Sequence, residues 1–383
     1  MRTNGFPLCL ALEHAMKFAL LVTALYVNMS CAWAQGALAV VGVLDAGMVR
    51  QICAACALRI DSGIASESWI GMRGSEWRND SVSALFALEA GALLDTGRAG
   101  QGGRLFGRQA LVGIKGNGGM LTVGRQHNLD YLVLADVGDP FKGGTAGSAA
   151  NLVGYGARRA DNSVHYYSAQ LHGVSAAASY SVGAGAGAGV GAGASAGGTG
   201  ERPANRAWGI SVGVERGPLI LRAAHQNRNP DAVAPASAMG NQLEAKNTIV
   251  AANLRLGQGT AYAAYSANRG WGSSPLWNPD NPYGAATAST SSTDSRDVLV
   301  GLALPVGATT WLASFIRKND RDLANRDADQ IAVGATYALS RRTDFYAAYS
   351  RISNRNGAAY TVGSASAPGS GSAALSLGMR HAF

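Results

Sequence analysis

The stretch Ala374-Leu-Ser-Leu-Gly-Met-Arg-His-Ala-Phe383 decides how this chain is read. Leu375, Leu377, Met379, His381 and Phe383 share one parity; Ala374, Ser376, Gly378, Arg380 and Ala382 share the other. Successive side chains of a strand point to opposite faces, so one face is mostly apolar and the other is small and polar. The sequence stops on an aromatic residue, where a soluble domain usually ends in a polar, frayed tail. Such a strand suits a place with lipid on one side and water on the other.

The same alternation recurs upstream. Val82, Ala84, Phe86 and Leu88 alternate with Ser83, Ala87 and Glu89, with Leu85 as the exception. Trp208, Ile210, Val212 and Val214 alternate with Gly209, Ser211, Gly213 and Glu215. Thr248, Val250, Ala252 and Leu254 alternate with Ile249, Ala251, Asn253 and Arg255, and Ile331, Val333, Ala335 and Tyr337 repeat the pattern. Connectors alternate in length. Turns at Asn117-Gly-Gly119, Leu171-His-Gly173, Arg216-Gly-Pro218, Gly257-Gln-Gly259 and Arg341-Arg-Thr343 are short; polar loops near 128–160, 184–206, 228–246, 271–295, 318–328 and 354–372 are long. Short turns at one end and long loops at the other are the layout of a transmembrane barrel. The pattern predicts an all-β fold, a closed antiparallel transmembrane β-barrel of about 16 strands between Ala37 and Phe383.

Composition agrees. Charged residues make up 15% of the 383, below the roughly 25% of soluble proteins, and beyond the leader no apolar run reaches the length of a spanning helix. At the N-terminus, Met16-Lys17 precedes an apolar run from Phe18 to Val27, and Ala32-Trp33-Ala34 supplies a small-x-small cleavage site. Residues 1–34 are therefore expected to be a signal peptide, with Met16 as the natural start, and 35–383 the barrel. Cleavage before Gln35 removes Arg2, Lys17 and Glu13 and lowers the net charge from +8 to +7. Cys53 and Cys56 remain as a lone Cys-x-x-Cys, read as a small disulfide loop of an exported protein rather than a redox or zinc site. The Gly-Ala run 183–198 reads as an expanded surface loop.

These residues resemble the trimeric general-diffusion porins of Gram-negative bacteria, most closely the beta-proteobacterial branch. The matching stretches, spread over the whole mature chain, are Val41-Gly-Val-Leu-Asp-Ala-Gly47, Gly71-Met-Arg-Gly-Ser-Glu76, Ala84-Leu-Phe-Ala-Leu-Glu-Ala-Gly91, Leu105-Phe-Gly-Arg-Gln-Ala-Leu-Val-Gly-Ile114, Leu121-Thr-Val-Gly-Arg-Gln126, Asp161-Asn-Ser-Val-His-Tyr-Tyr-Ser168, Leu339-Ser-Arg-Arg-Thr-Asp-Phe-Tyr346 and Gly378-Met-Arg-His-Ala-Phe383. The resemblance implies an outer-membrane, water-filled channel for passive diffusion of small hydrophilic solutes, a homotrimer, and a third loop folded into the lumen over roughly 128–160. It further implies that Phe383 is the tag read by the barrel-assembly machinery. Trp69 departs from the pattern, standing where such porins often carry a lumen-facing Arg.

A constriction of this kind sets cations on the wall against acids on the third loop. Arg73 points to the lumen by parity, and Arg108 matches a wall arginine by resemblance. Arg158 and Arg159 close the third loop and are candidates for the same wall cluster, with a solvated loop end as the alternative. Asp136 and Asp139, beside the motif Asp139-Pro-Phe-Lys-Gly-Gly144, are the candidate acids, with a turn role as the alternative for an Asp before Pro. Arg125 shares parity with Leu121 and Val123 and is placed at a rim or subunit interface instead. The basic balance predicts a mild preference for anions. Outer-membrane lipid is an expected partner; nucleic acid is not, because no nucleic-acid motif or basic helix occurs. His127, His165, His172, His225 and His381 form no triad spacing, so no catalytic residue, cofactor or metal is assigned. The long loops leave one alternative, an adhesin or structural surface barrel without channel activity.

Overall fold

The computed structural model describes residues 36–52, 58–79, 81–155, 158–183, 206–228, 245–270, 292–362 and 371–383. The leader, Cys53, Cys56 and the Gly-Ala run from 184 onward lie outside the described residues.

Sixteen long strands follow one another as antiparallel neighbours. They are β1 (Gly36–Gln51), β2 (Trp69–Asn79), β3 (Val82–Leu93), β4 (Gln109–Gly116), β5 (Gly119–His127), β6 (Arg159–Ser168), β7 (Val174–Ser181) and β8 (Ala207–Arg216). The second half comprises β9 (Leu219–Arg228), β10 (Ala245–Leu256), β11 (Gly259–Arg269), β12 (Asp294–Val306), β13 (Thr309–Asp320), β14 (Ala328–Ala338), β15 (Thr343–Asn354) and β16 (Ala373–Ala382). Two short pieces, Leu58–Ser62 and Arg98–Ala99, pair beside β1 and β3. β16 pairs back onto β1, and the sheet closes. Closure satisfies backbone groups that lipid cannot.

The closing register runs from Val43 opposite Ala382 to Gln51 opposite Ala374. One further pair joins Gly42 and Phe383, each amide donating to the other's carbonyl at 3.1 Å. The seam therefore lies along the second half of β1. The reason is that β1 serves two partners: its first half, Gly36–Val43, is zipped to β2, and β16 engages from Gly42 onward.

The two faces divide as their alternation requires. On β16, Leu375, Leu377 and Met379 are 37%, 39% and 47% exposed on the outside, while Ala374 and Ser376 are buried within. An apolar band of this kind is stable only against lipid. At one end the turns are tight, with Gly217, Gly257 and Gly307 at φ +58°, +61° and +61°, a region that only glycine occupies at little cost.

The lumen is not empty. The third loop enters as a helical segment, Leu129–Val133 continuing as Leu134–Gly138, along the inner wall of β7 to β11. The loop then crosses to β14 and β16 and folds back. Its tip docks on the first loop and on β16: the Thr145 amide donates to the Ile64 carbonyl (2.5 Å), and the Ala146 amide to Ser376 Oγ (3.2 Å). Its return is held by Asn151 on Gln330 (3.0 Å), by Lys318 Nζ on the Leu152 carbonyl (3.1 Å), and by the Gly154 amide on Asp297 (2.7 Å). Lys318 and Asp297 form a fully buried ion pair at 3.0 Å. The loop explains why inward residues of this wall are large and apolar: Ile249, Leu299, Ile316 and Ile352 are buried beneath it. The free lumen is left along β1 to β6.

Candidate functional site

The site begins with Asp45 on β1. Its carboxylate accepts from the amides of Ile64 (3.1 Å), Ala65 (2.9 Å) and Ser66 (2.8 Å) and from the Tyr346 hydroxyl (2.6 Å). These bonds fold the end of the first loop inward and present Glu67 to the wall.

Glu67 is the hub. Arg158 Nη1 donates to its Oε1 at 2.8 Å, and Arg108 Nη1 and Arg159 Nη2 donate to its Oε2. Burial alone would raise the Glu67 carboxyl, but Arg158, Arg159 and Arg108 hold it well below the usual range. Burial works against the charged Arg158 as well, yet Glu67 and Tyr131 push its guanidinium further up. Arg158 also sits over the Tyr131 ring, 4.6 Å from its centroid, and bonds its hydroxyl.

A second carboxylate extends the network. Glu89, fully buried on β3, accepts from Arg73 through Nε (2.9 Å) and Nη2 (2.5 Å) and from Arg108 Nε (2.9 Å). Trp69, itself buried, packs against both cations, with Arg73 and Arg108 at 5.2 and 4.9 Å from its ring. The indole face attracts both guanidinium groups. Trp69 thus offers one ring to two arginines of the network. Among the described residues, these four arginines converge on two carboxylates.

The four predicted wall arginines, Arg73, Arg108, Arg158 and Arg159, are therefore brought into one network. Arg73 remains half-exposed toward the lumen, whereas Arg158 and Arg159 are buried behind Glu67. Arg125 stands apart, bound with Arg104 to Asp161 (2.5 and 2.8 Å) and to the Gly107 carbonyl (2.6 Å).

The two candidate acids are not brought to the arginines. Asp139 is buried inside the third loop, where its carboxylate accepts from the amides of Phe141 (2.9 Å), Gly143 (2.9 Å) and Ala149 (2.8 Å). Burial pushes its carboxyl up to about 6 against the pull of those amides. Asp136 stays exposed on the helical segment; burial of its surroundings raises its carboxyl, while Arg222 and Lys142 draw it down. The acids that meet the arginines are Glu67 and Glu89. Parity signalled Glu89, on the same face as Ser83. Nothing in the sequence signalled Glu67, because its position depends on a loop folded by Asp45.

Beneath this network lies a lumenal cavity of about 570 Å³ between β1–β6 and the third loop. Gln109 and His127 meet there, Nε2 to Nδ1 at 3.0 Å, and His127 stacks on Tyr131 with centroids 5.5 Å apart.

An outer-membrane porin protein of Bordetella pertussis is 25% identical over 345 residues, 84% of each chain. The anion-selective porin of Comamonas acidovorans superposes with a TM-score of 0.69 at 20% identity, covering 91% of this chain and all of that one. OmpT of Vibrio cholerae, folded in vitro, superposes with a TM-score of 0.62 at 16% identity, over 92% and 100%. At such identities the two structures speak for the fold alone. The family model of Gram-negative porins matches residues 19–357; with the closed barrel and the inward third loop, this chain belongs to the Gram-negative porins, the channel-forming barrels of the bacterial outer membrane.

Proposed function

We propose that the chain works as a homotrimeric diffusion channel for small hydrophilic solutes that prefers anions and carries out no catalysis. The observation that carries the preference is the composition of the lumenal network: Arg73, Arg108, Arg158 and Arg159 against Glu67 and Glu89. A net positive wall in a narrow, low-dielectric passage concentrates anions and repels cations. Asp136, facing Arg222 and Lys142, tempers the field from the opposite side. The mature chain begins at Gln35, and Phe383 is the residue read during barrel assembly in the lipid of the outer membrane.

The reversal potential of single channels in a potassium chloride gradient tests this reading. Anion preference is expected, and Arg108→Ser reduces it. A clear cation preference overturns the selectivity, and a folded but electrically silent barrel overturns the channel in favour of a surface adhesin.

A further inference from the structure

A water-filled channel is expected to line itself with polar side chains. The wall along the free lumen breaks that expectation. Leu85 on β3, Leu111 on β4, Met120 on β5 and Leu132 from the third loop all border the cavity described above. They are partly exposed there, unlike Ile249, which the loop covers completely. Leu85 breaks the apolar-polar alternation of its strand. It stands opposite Gly113 in the register, and a Cβ at Gly113 would come 3.2 Å from Leu85 Cδ1. The absence of a side chain at Gly113 leaves room for Leu85 to lie against that strand.

The other end of the cavity is polar and positive. Arg73 reaches it from the network, and Gln109 and His127 supply hydrogen-bonding groups. The volume falls within the roughly 300–1,000 Å³ of small-molecule sites, where apolar lining supplies affinity and a few polar groups set orientation.

We propose that this cavity is a subsite for amphiphilic organic monoanions, small carboxylates that carry an aromatic or branched apolar body. The carboxylate faces Arg73 and Gln109; the apolar body lies on Leu85, Leu111 and Met120. A fully hydrated inorganic anion gains only from the first half of this arrangement. An aryl carboxylate gains from both and dwells longer in passage. The inference rests on the channel reading above and adds a solute class to it.

The test is current block in planar bilayers, with potassium benzoate and potassium acetate as probes against a chloride current. Benzoate is expected to reduce the current saturably, at about tenfold lower concentration than acetate, the factor for shielding part of one ring from water. The benzoate-to-acetate ratio is read within each channel. Leu111→Asn is expected to bring it close to one, and Arg73→Gln to weaken both probes together. Met120→Gln serves as the second lining variant if Leu111→Asn does not fold. Equal potency of the two probes in the unmodified channel overturns the subsite, as does an unchanged ratio in the lining variants. Either result leaves the chloride channel standing, whereas absence of any current refutes the channel reading and this inference with it.

Discussion

Arg158 donates to Glu67 at 2.8 Å although 91 residues separate them in the chain. The first and third loops are thereby joined on the lumen wall, and the charge presented to a passing ion depends on that junction.

Glu67→Gln removes the carboxylate that three guanidinium groups share. The anion-to-cation permeability ratio is expected to rise severalfold, because Arg108, Arg158 and Arg159 lose their common counter-charge. Reversal potentials measure it. An unchanged ratio would show that the network is screened from the permeating ions.

Lys318 and Asp297 are both fully buried and hold the returning third loop to β12 and β13. Lys318→Met leaves an unpaired buried carboxylate, at a cost of about 3–5 kcal/mol. Denaturant unfolding in detergent micelles is expected to register that loss. Combining it with Asp297→Asn recovers a large part, and failure of the double variant to recover would place the cost in packing instead.

Asp139 gives a defined pH dependence. Its carboxyl is raised by burial from 3.8 to about 6, so the native state holds this proton more tightly than the unfolded chain. The contribution of this group to stability is full below about pH 4 and lost as pH rises through 6, by at most about 3 kcal/mol. Asp139→Asn removes that component. Stability curves of the two proteins between pH 4 and 7 should therefore diverge in slope; parallel curves would contradict the assignment.

Gly144 is pressed against the first loop: a Cβ there would lie 1.9 Å from the Ala65 carbonyl oxygen. The obstacle is backbone, so no rotamer relieves it. Gly144→Ala is expected to cost about 1–3 kcal/mol, as overpacking does, and to displace the loop tip. Thermal unfolding and a spread of single-channel conductance levels report the two effects.

Much of the barrel was legible in the sequence because parity is a local property. Leu375, Leu377 and Met379 face outward as their alternation demands, and the glycine turns fall where the strands reverse. Arg73 and Glu89 point inward for the same reason. Arg108 was out of reach of that logic: it shares parity with the outward Val112 and Ile114, yet it precedes the first residue of β4 and turns inward to Glu89. Glu67 and the apolar wall under the loop depended on contacts between distant segments. Asp139, placed by its motif, proved to be occupied by its own loop's amides.

The docking of the third loop has a consequence for biogenesis. The loop tip rests on Ser376, 230 residues downstream of Ala146, and the first loop is held by Asp45 together with Tyr346, 301 residues away. These partners reach their places only when the last strands meet β1. A barrel caught before that moment lacks both of these anchors, so sealing the wall and fixing the loop tip belong to one step of maturation.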